Sequence, residues 1–187
     1  MTNKLTSRVA LLTATTLAAA GFLASAPSAS AQTNREAANG HGTLLVDGPN
    51  GGQVRRQFSL TAQRRSDGTV KGNATLVNPA FTGFNGRSPF QLHVDIQCMK
   101  VVGNIAVFGG FTRRTNDPNL VDAVYFTVQD NGEPGKDNDR ISSVFFFDDD
   151  PANQGDPQAC LVTGPNDFPL NTIDGGNIQV RGGVSVP

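Results

Sequence analysis

Three sets of residues in this chain have types and spacings that could do chemistry. His93 and Asp95 stand two apart in the run Leu92-His-Val-Asp-Ile-Gln-Cys98, where apolar and polar residues alternate. On a strand that spacing turns both side chains to one face, where the carboxylate could orient the imidazole as a general acid–base pair. The same face would carry Gln91 and Gln97, so the pair also reads as part of a polar ladder on a wetted sheet, as alternating strands routinely carry. The second set is Asp130-Asn-Gly-Glu133 followed by Asp137-Asn-Asp139. It concentrates the oxygen ligands that a hard cation such as calcium requires, with Asp130, Asp137 and Asp139 as the candidate ligands. Its spacing is not that of an EF-hand loop, and Asp, Asn and Gly are equally the residues of solvated turns. Asp148-Asp149-Asp150 forms a further acidic cluster.

The third set is Cys98 and Cys160, the only cysteines. An even count in an exported chain points to a disulfide, here closing a separation of 62 residues and contributing ~4 kcal/mol in the chain-entropy model. The competing reading is two buried free thiols. Two cysteines cannot form a zinc site alone, and neither has a histidine at ligand spacing. Beyond these sets the inventory is thin, with no Gly-x-Ser-x-Gly elbow, no His-Glu-x-x-His, no phosphate-binding glycine loop and no dinucleotide fingerprint. The motifs spell no reaction, and a non-catalytic reading is favoured over an enzyme.

The elements that would position these residues begin after a segment with the three parts of a secretory signal. Lys4 and Arg8 precede an uncharged run from Val9 to Leu23, and Ala29-Ser30-Ala31 offers a cleavage site before Gln32. The run is interrupted by Thr and Gly and is shorter than the ~20 apolar residues of a spanning helix. The expected organisation is therefore a signal peptide at 1–31, a disordered lead-in at 32–40 and a single β domain at 41–187. The protein is expected to be secreted, with no membrane span. Without the signal, 13 basic residues face 16 acidic ones for a net charge of −3. Ten of those basic residues lie between Gln32 and Asn116, against 4 acidic, whereas 12 of the acidic residues follow from Asp117 onward, against 3 basic. Such asymmetry can steer charged partners, but opposite charges meeting across a sheet or lying solvated in loops explain it more simply. With no tryptophan, one tyrosine and no basic run interleaved with aromatics, nucleic-acid binding is not expected.

Period-two patterning recurs along the rest of the chain. Strands are predicted at Gly42–Val46, at Arg56–Gln63 with Phe58, Leu60 and Ala62 toward the core, and at Val70–Leu76 after a Ser66-Asp67-Gly68 turn. Arg55, Arg56, Arg64, Arg65 and Lys71 would guard this hairpin against edge-to-edge pairing. Asn78 to Pro89 reads as a long loop that packs Phe81 and Phe84 over a barrel mouth or presents them to a partner. Next comes the central hairpin, with Leu92, Val94, Ile96 and Cys98 on one face, a Gly103-Asn104 reversal, and a bend or bulge at Gly109-Gly110. Val121–Gln129 alternates again. Ile141–Phe147, apolar on both faces, should be a central or covered strand, and Asn177–Val180 starts the closing strand. No window shows a capped 3.6-residue period. The fold class is all-β, a single antiparallel β-barrel or β-sandwich of about eight or nine strands.

The runs His93-Val-Asp-Ile-Gln-Cys98, Val101-Val-Gly-Asn-Ile-Ala106 and Phe126-Thr-Val-Gln-Asp-Asn-Gly132, the last leading to Asp139-Arg-Ile-Ser142, resemble small exported bacterial β domains of the post-COAP type. The resemblance extends from about Gly42 to the end and implies the β fold and export, with no activity or catalytic residue to carry over. The functional expectation is an exported, non-catalytic β domain that binds a surface, partner or polymer outside the membrane. The alternative is a small-ligand-binding barrel or barrel enzyme whose pocket contains His93 and Asp95. A cavity opening onto those two residues separates the readings.

Overall fold

Alternating β-branched, aromatic and small residues build ten strands: β1 (Ala37–Asp47), β2 (Gln53–Arg64), β3 (Val70–Asn78), β4 (Phe90–Val102), β5 (Ile105–Thr115), β6 (Ala123–Gln129), β7 (Arg140–Ser142), β8 (Phe145–Phe146), β9 (Leu170–Thr172) and β10 (Gly175–Arg181). The computed structural model describes residues 35–48, 51–80, 90–117, 120–147 and 152–182, all within one unit, Thr33–Pro187. The expected signal peptide, Phe81 and Phe84, and Asp148–Asp150 lie outside the described residues. The strands form one curled antiparallel sheet, a half-barrel, in the order β10-β1-β2-β3-β4-β5-β6-β7-β9, with β8 paired to β6. Among the described residues no helix is long and apolar enough to cross a membrane.

The concave face holds the main core, including Phe58, Leu60, Leu92, Val94, Ile96, Phe108, Phe126, Ile141 and Ile178, with Phe108 and Phe126 stacked at 4.8 Å. Burying each such side chain contributes about 1.5–3 kcal/mol. The first correction concerns the lead-in: residues 37–40 are strand rather than disordered. Ala38 and Gly40 lack a hydrophobic signal, yet they are paired to β2 on one side and β10 on the other, so ladder hydrogen bonds order them where composition does not. The basic residues predicted to guard this hairpin flank the doubly paired stretch of β2, Gln57–Gln63: Arg55, Arg56, Arg64 and Lys71 are each paired on one side only.

The second correction concerns the face of Cys98. Ile96 pairs with Gly110 and Cys98 with Gly109, so Gln97 is an extra residue in β4, a β-bulge. One extra residue inverts the alternation. Leu92, Val94 and Ile96 face the concave core as predicted, but Cys98 turns to the convex side, while Met99 and Val101 rejoin the core. The glycines expected to mark a bend stand opposite this bulge. A Cβ on Gly110 would collide with the Asp95 carbonyl oxygen, and one on Gly109 with the Pro157 carbonyl oxygen.

Pro157 begins a 3-10 helix, Pro157–Leu161, laid over the convex face and capped by Asp156, whose side chain accepts from the Gln158 N–H. Cys98 and Cys160 are disulfide-bonded there, with Cα atoms 6.1 Å apart. The bridge is the centre of a second cluster with Val107, Ala123 and Tyr125, against which Phe111, Ala159 and Phe168 pack. The Tyr125 hydroxyl donates to the Asp156 carbonyl at 2.6 Å, and burial pushes its pKa up. This cover buries β6 on both faces. The predicted two-faced strand at Ile141–Phe147 is instead split into β7 and β8 around Ser143 and Val144, and Phe147 is 52% exposed.

Candidate functional site

His93 and Asp95 occupy the convex face of β4, as their spacing implies. The His93 ring Nδ1 lies 3.1 Å from Thr75 Oγ1, its cross-strand neighbour on β3. Asp95 forms an ion pair of 2.9 Å with Arg113, the residue that the bulge between His93 and Val94 leaves unpaired in β5. The two side chains thus have separate partners within a polar row. A groove beside the β2–β3 turn includes Asp95 and Arg113 in its lining but not His93. Among the described residues the arrangement therefore provides hydrogen bonds and charge on a sheet surface, and the groove reaches Asp95 without His93.

The acidic loop between β6 and β7 has a structural task. β10 pairs with β1 along one edge, and along its other edge the Ile178 N–H donates to Asp139 Oδ2 at 2.7 Å and the Val180 N–H to Asp130 Oδ2 at 2.9 Å. The remaining oxygens turn back into their own loop, where Asp139 Oδ1 accepts from the Asn131 N–H and Asp130 Oδ1 from the Gly132 N–H. Two carboxyl groups thus stand in for a missing neighbouring strand and satisfy amides that would otherwise be orphaned. Asp139 is fully buried, whereas Asp137 is exposed with φ +67°. Asp130 and Asp139 are thus brought to one seam, and Asp137 is not. Among the described residues no group of three His, Cys, Asp or Glu side chains could hold a metal ion. Part of the charge asymmetry has the same explanation. Asp122 accepts from the Ala123 and Gly155 N–H groups, and Asp167 from the Gly164 N–H, so the acidic half supplies acceptors to irregular backbone.

A second concave feature lies at the end of the half-barrel where β2 and β4 begin and β3 ends. A cavity of about 380 Å³ opens there, lined largely by apolar side chains such as Leu44, Phe58, Leu76, Leu92, Ile141 and Phe146. Among the described residues of its lining, Arg56 is the one basic residue and Asp117 the one acidic residue. Arg56 shares the inward register of Phe58, Leu60 and Ala62 on β2, and its Nη1 donates to Ser143 Oγ at 3.2 Å. The break between β7 and β8 is what delivers Ser143 to this wall. Sequence reasoning assigned Arg56 to edge protection and missed the cavity. The available signal was parity, since Arg56 is an even number of residues from Phe58 and Leu60.

Arg64 occupies the same register at the opposite end of β2, and its guanidinium is fully engaged. It pairs with Glu36 at 2.7 Å and donates to the Gly68 and Met99 carbonyls. The two ends of one inward-facing row therefore differ: one cation is neutralised and holds the chain together, and the other faces an apolar cavity. No family model matches the chain, and neither the curated proteins nor the solved structures compared with it contain a match.

Proposed function

We propose that this protein is an exported, non-catalytic β domain that binds a small apolar ligand in the mouth cavity of its half-barrel. The observation that carries this reading is the cavity itself, about 380 Å³ and mainly apolar, at the end of the half-barrel. Its volume falls in the range of small-molecule sites, ~300–1,000 Å³, and the combination of apolar walls with few polar groups is what such sites use. Export is supported by the signal-like first 31 residues and by a disulfide, which persists in oxidising compartments. The resemblance to post-COAP-type domains supports the same fold and compartment. An enzyme built on His93 and Asp95 is the weaker reading, since each has another partner on a convex sheet face.

The test is titration of the full chain with the neutral apolar fluorophore N-phenyl-1-naphthylamine. Saturable binding at one site is expected, together with its loss in Val144→Trp, which fills the cavity from the partly buried connection between β7 and β8. No saturable binding, or binding that Val144→Trp leaves unchanged, would end the cavity reading. A second reading, docking to an extracellular partner or surface, is favoured by Leu161 and Val162, adjacent apolar residues that are 49% and 85% exposed at the end of the convex 3-10 helix. It predicts that Val162→Asp abolishes pull-down of the chain on apolar resin while fluorophore binding persists, and unchanged retention would dismiss it.

A further inference from the structure

The geometry points to an amphipathic monocarboxylate as the ligand of the mouth cavity, its chain against the apolar wall and its carboxylate on the Arg56 guanidinium. This rests on the binding reading above and adds the chemical class.

Three observations carry it. Arg56 is an inward-facing cation beside Phe58, and none of the ion pairs among the described residues includes it. Its only hydrogen bond there is the donation from Nη1 to Ser143, and Nε is buried without any acceptor. A buried donor without a partner is disfavoured, and proteins satisfy the great majority of such groups. Arg64 provides the internal comparison, because the same residue type on the same face of the same strand has a carboxylate and two carbonyls around it. A guanidinium presents a planar fork matched to a carboxylate, and Nη1 is the part of that fork already used by Ser143.

The surroundings set the rest of the ligand. Burial pulls the Arg56 pKa below its usual range, and no neighbouring carboxylate opposes the shift, so an incoming anion would meet an uncompensated charge in a poorly solvated place. Arginine nevertheless stays protonated at neutral pH. No ion pair among the described residues joins Asp117 to Arg56. One guanidinium in a mainly apolar lining matches one carboxylate, which argues for a monoanion over a dicarboxylate or a phosphate. The cavity has the volume of about a dozen liquid waters, which suits an acid of roughly ten to fifteen non-hydrogen atoms.

The experiment compares decanoate with decan-1-ol by isothermal titration calorimetry on the full chain, wild type and Arg56→Gln. Wild type is expected to bind decanoate at least tenfold more tightly than decanol. Arg56→Gln should weaken decanoate by about ten- to hundredfold, the range for a charge-assisted contact, and change decanol by less than threefold. Because Arg56 lacks a counter-charge, Arg56→Gln should melt no lower than wild type. If it fails to fold, the decanoate-to-decanol ratio in wild type decides alone. Equal affinity for acid and alcohol, or equal loss of both in the variant, overturns the carboxylate assignment and leaves the cavity reading standing. Absence of binding by either compound and by the neutral fluorophore overturns both.

Discussion

Asp139→Ala is expected to destabilise the fold by about 2–4 kcal/mol, because it strips the acceptor from one buried main-chain amide and one partly buried one, an unpaired buried amide costing about 1–3 kcal/mol and the more exposed one less. The donors are the Asn131 N–H at 2.8 Å and the Ile178 N–H at 2.7 Å. The second belongs to an edge of β10 that no strand among the described residues covers at that point. Asp139→Asn keeps the shape but replaces one acceptor with a donor, so it should still cost about 2 kcal/mol. Asp130→Asn, acting at the half-buried Val180 N–H, should cost less. Urea denaturation of the three variants checks the order. A loss under about 1 kcal/mol for Asp139→Ala would mean that the β10 edge finds other acceptors and that the carboxyl group does not hold the seam. The same oxygens bear on the calcium expectation. Since all four already accept amide protons, excess calcium followed by chelator should leave the melting temperature unchanged. A calcium-dependent rise that disappears in Asp137→Asn would restore this loop as a metal site.

Replacing both cysteines by serine is expected to lower stability by ~4 kcal/mol, which for a domain of this size is roughly 10–15 °C in melting temperature. The bond ties positions 62 residues apart, and it joins the convex face of β4 to the 3-10 helix that covers β5 and β6. The loss should be uneven. Hydrogen exchange is expected to accelerate first at residues 152–169 and at β6, where Tyr125 and Thr127 depend on the cover, and last at the β1–β2–β3 meander. A uniform acceleration across the sheet, or a loss near 1 kcal/mol, would mean that the bridge reports the packing of the cover and does not secure it.

What could be read from residue order was whatever the backbone imposes locally. Alternation with period two marked the β2–β3 and β4–β5 hairpins, Gly103 at φ +58° beside Asn104 marked their reversal, and an even cysteine count marked the bridge. These follow from pleat geometry and from the few residues that tolerate positive φ, so they need no knowledge of the partner strand. The tertiary structure decided which way the pattern points. Gln97, a single unpaired residue, moves Cys98 to the convex side and thereby places the covering helix there. That bulge depends on the register of β5, not on the composition of β4. Arg56 looks like a flanking charge until β1, β4 and β7 close around it, and Asp130 and Asp139 look like cation ligands until β10, some forty residues later, brings its amides to them. A strand fixes the parity of its side chains by itself, but what each face meets is fixed by contacts between segments distant in sequence. The chemistry of the mouth and of the seam therefore belongs to the fold.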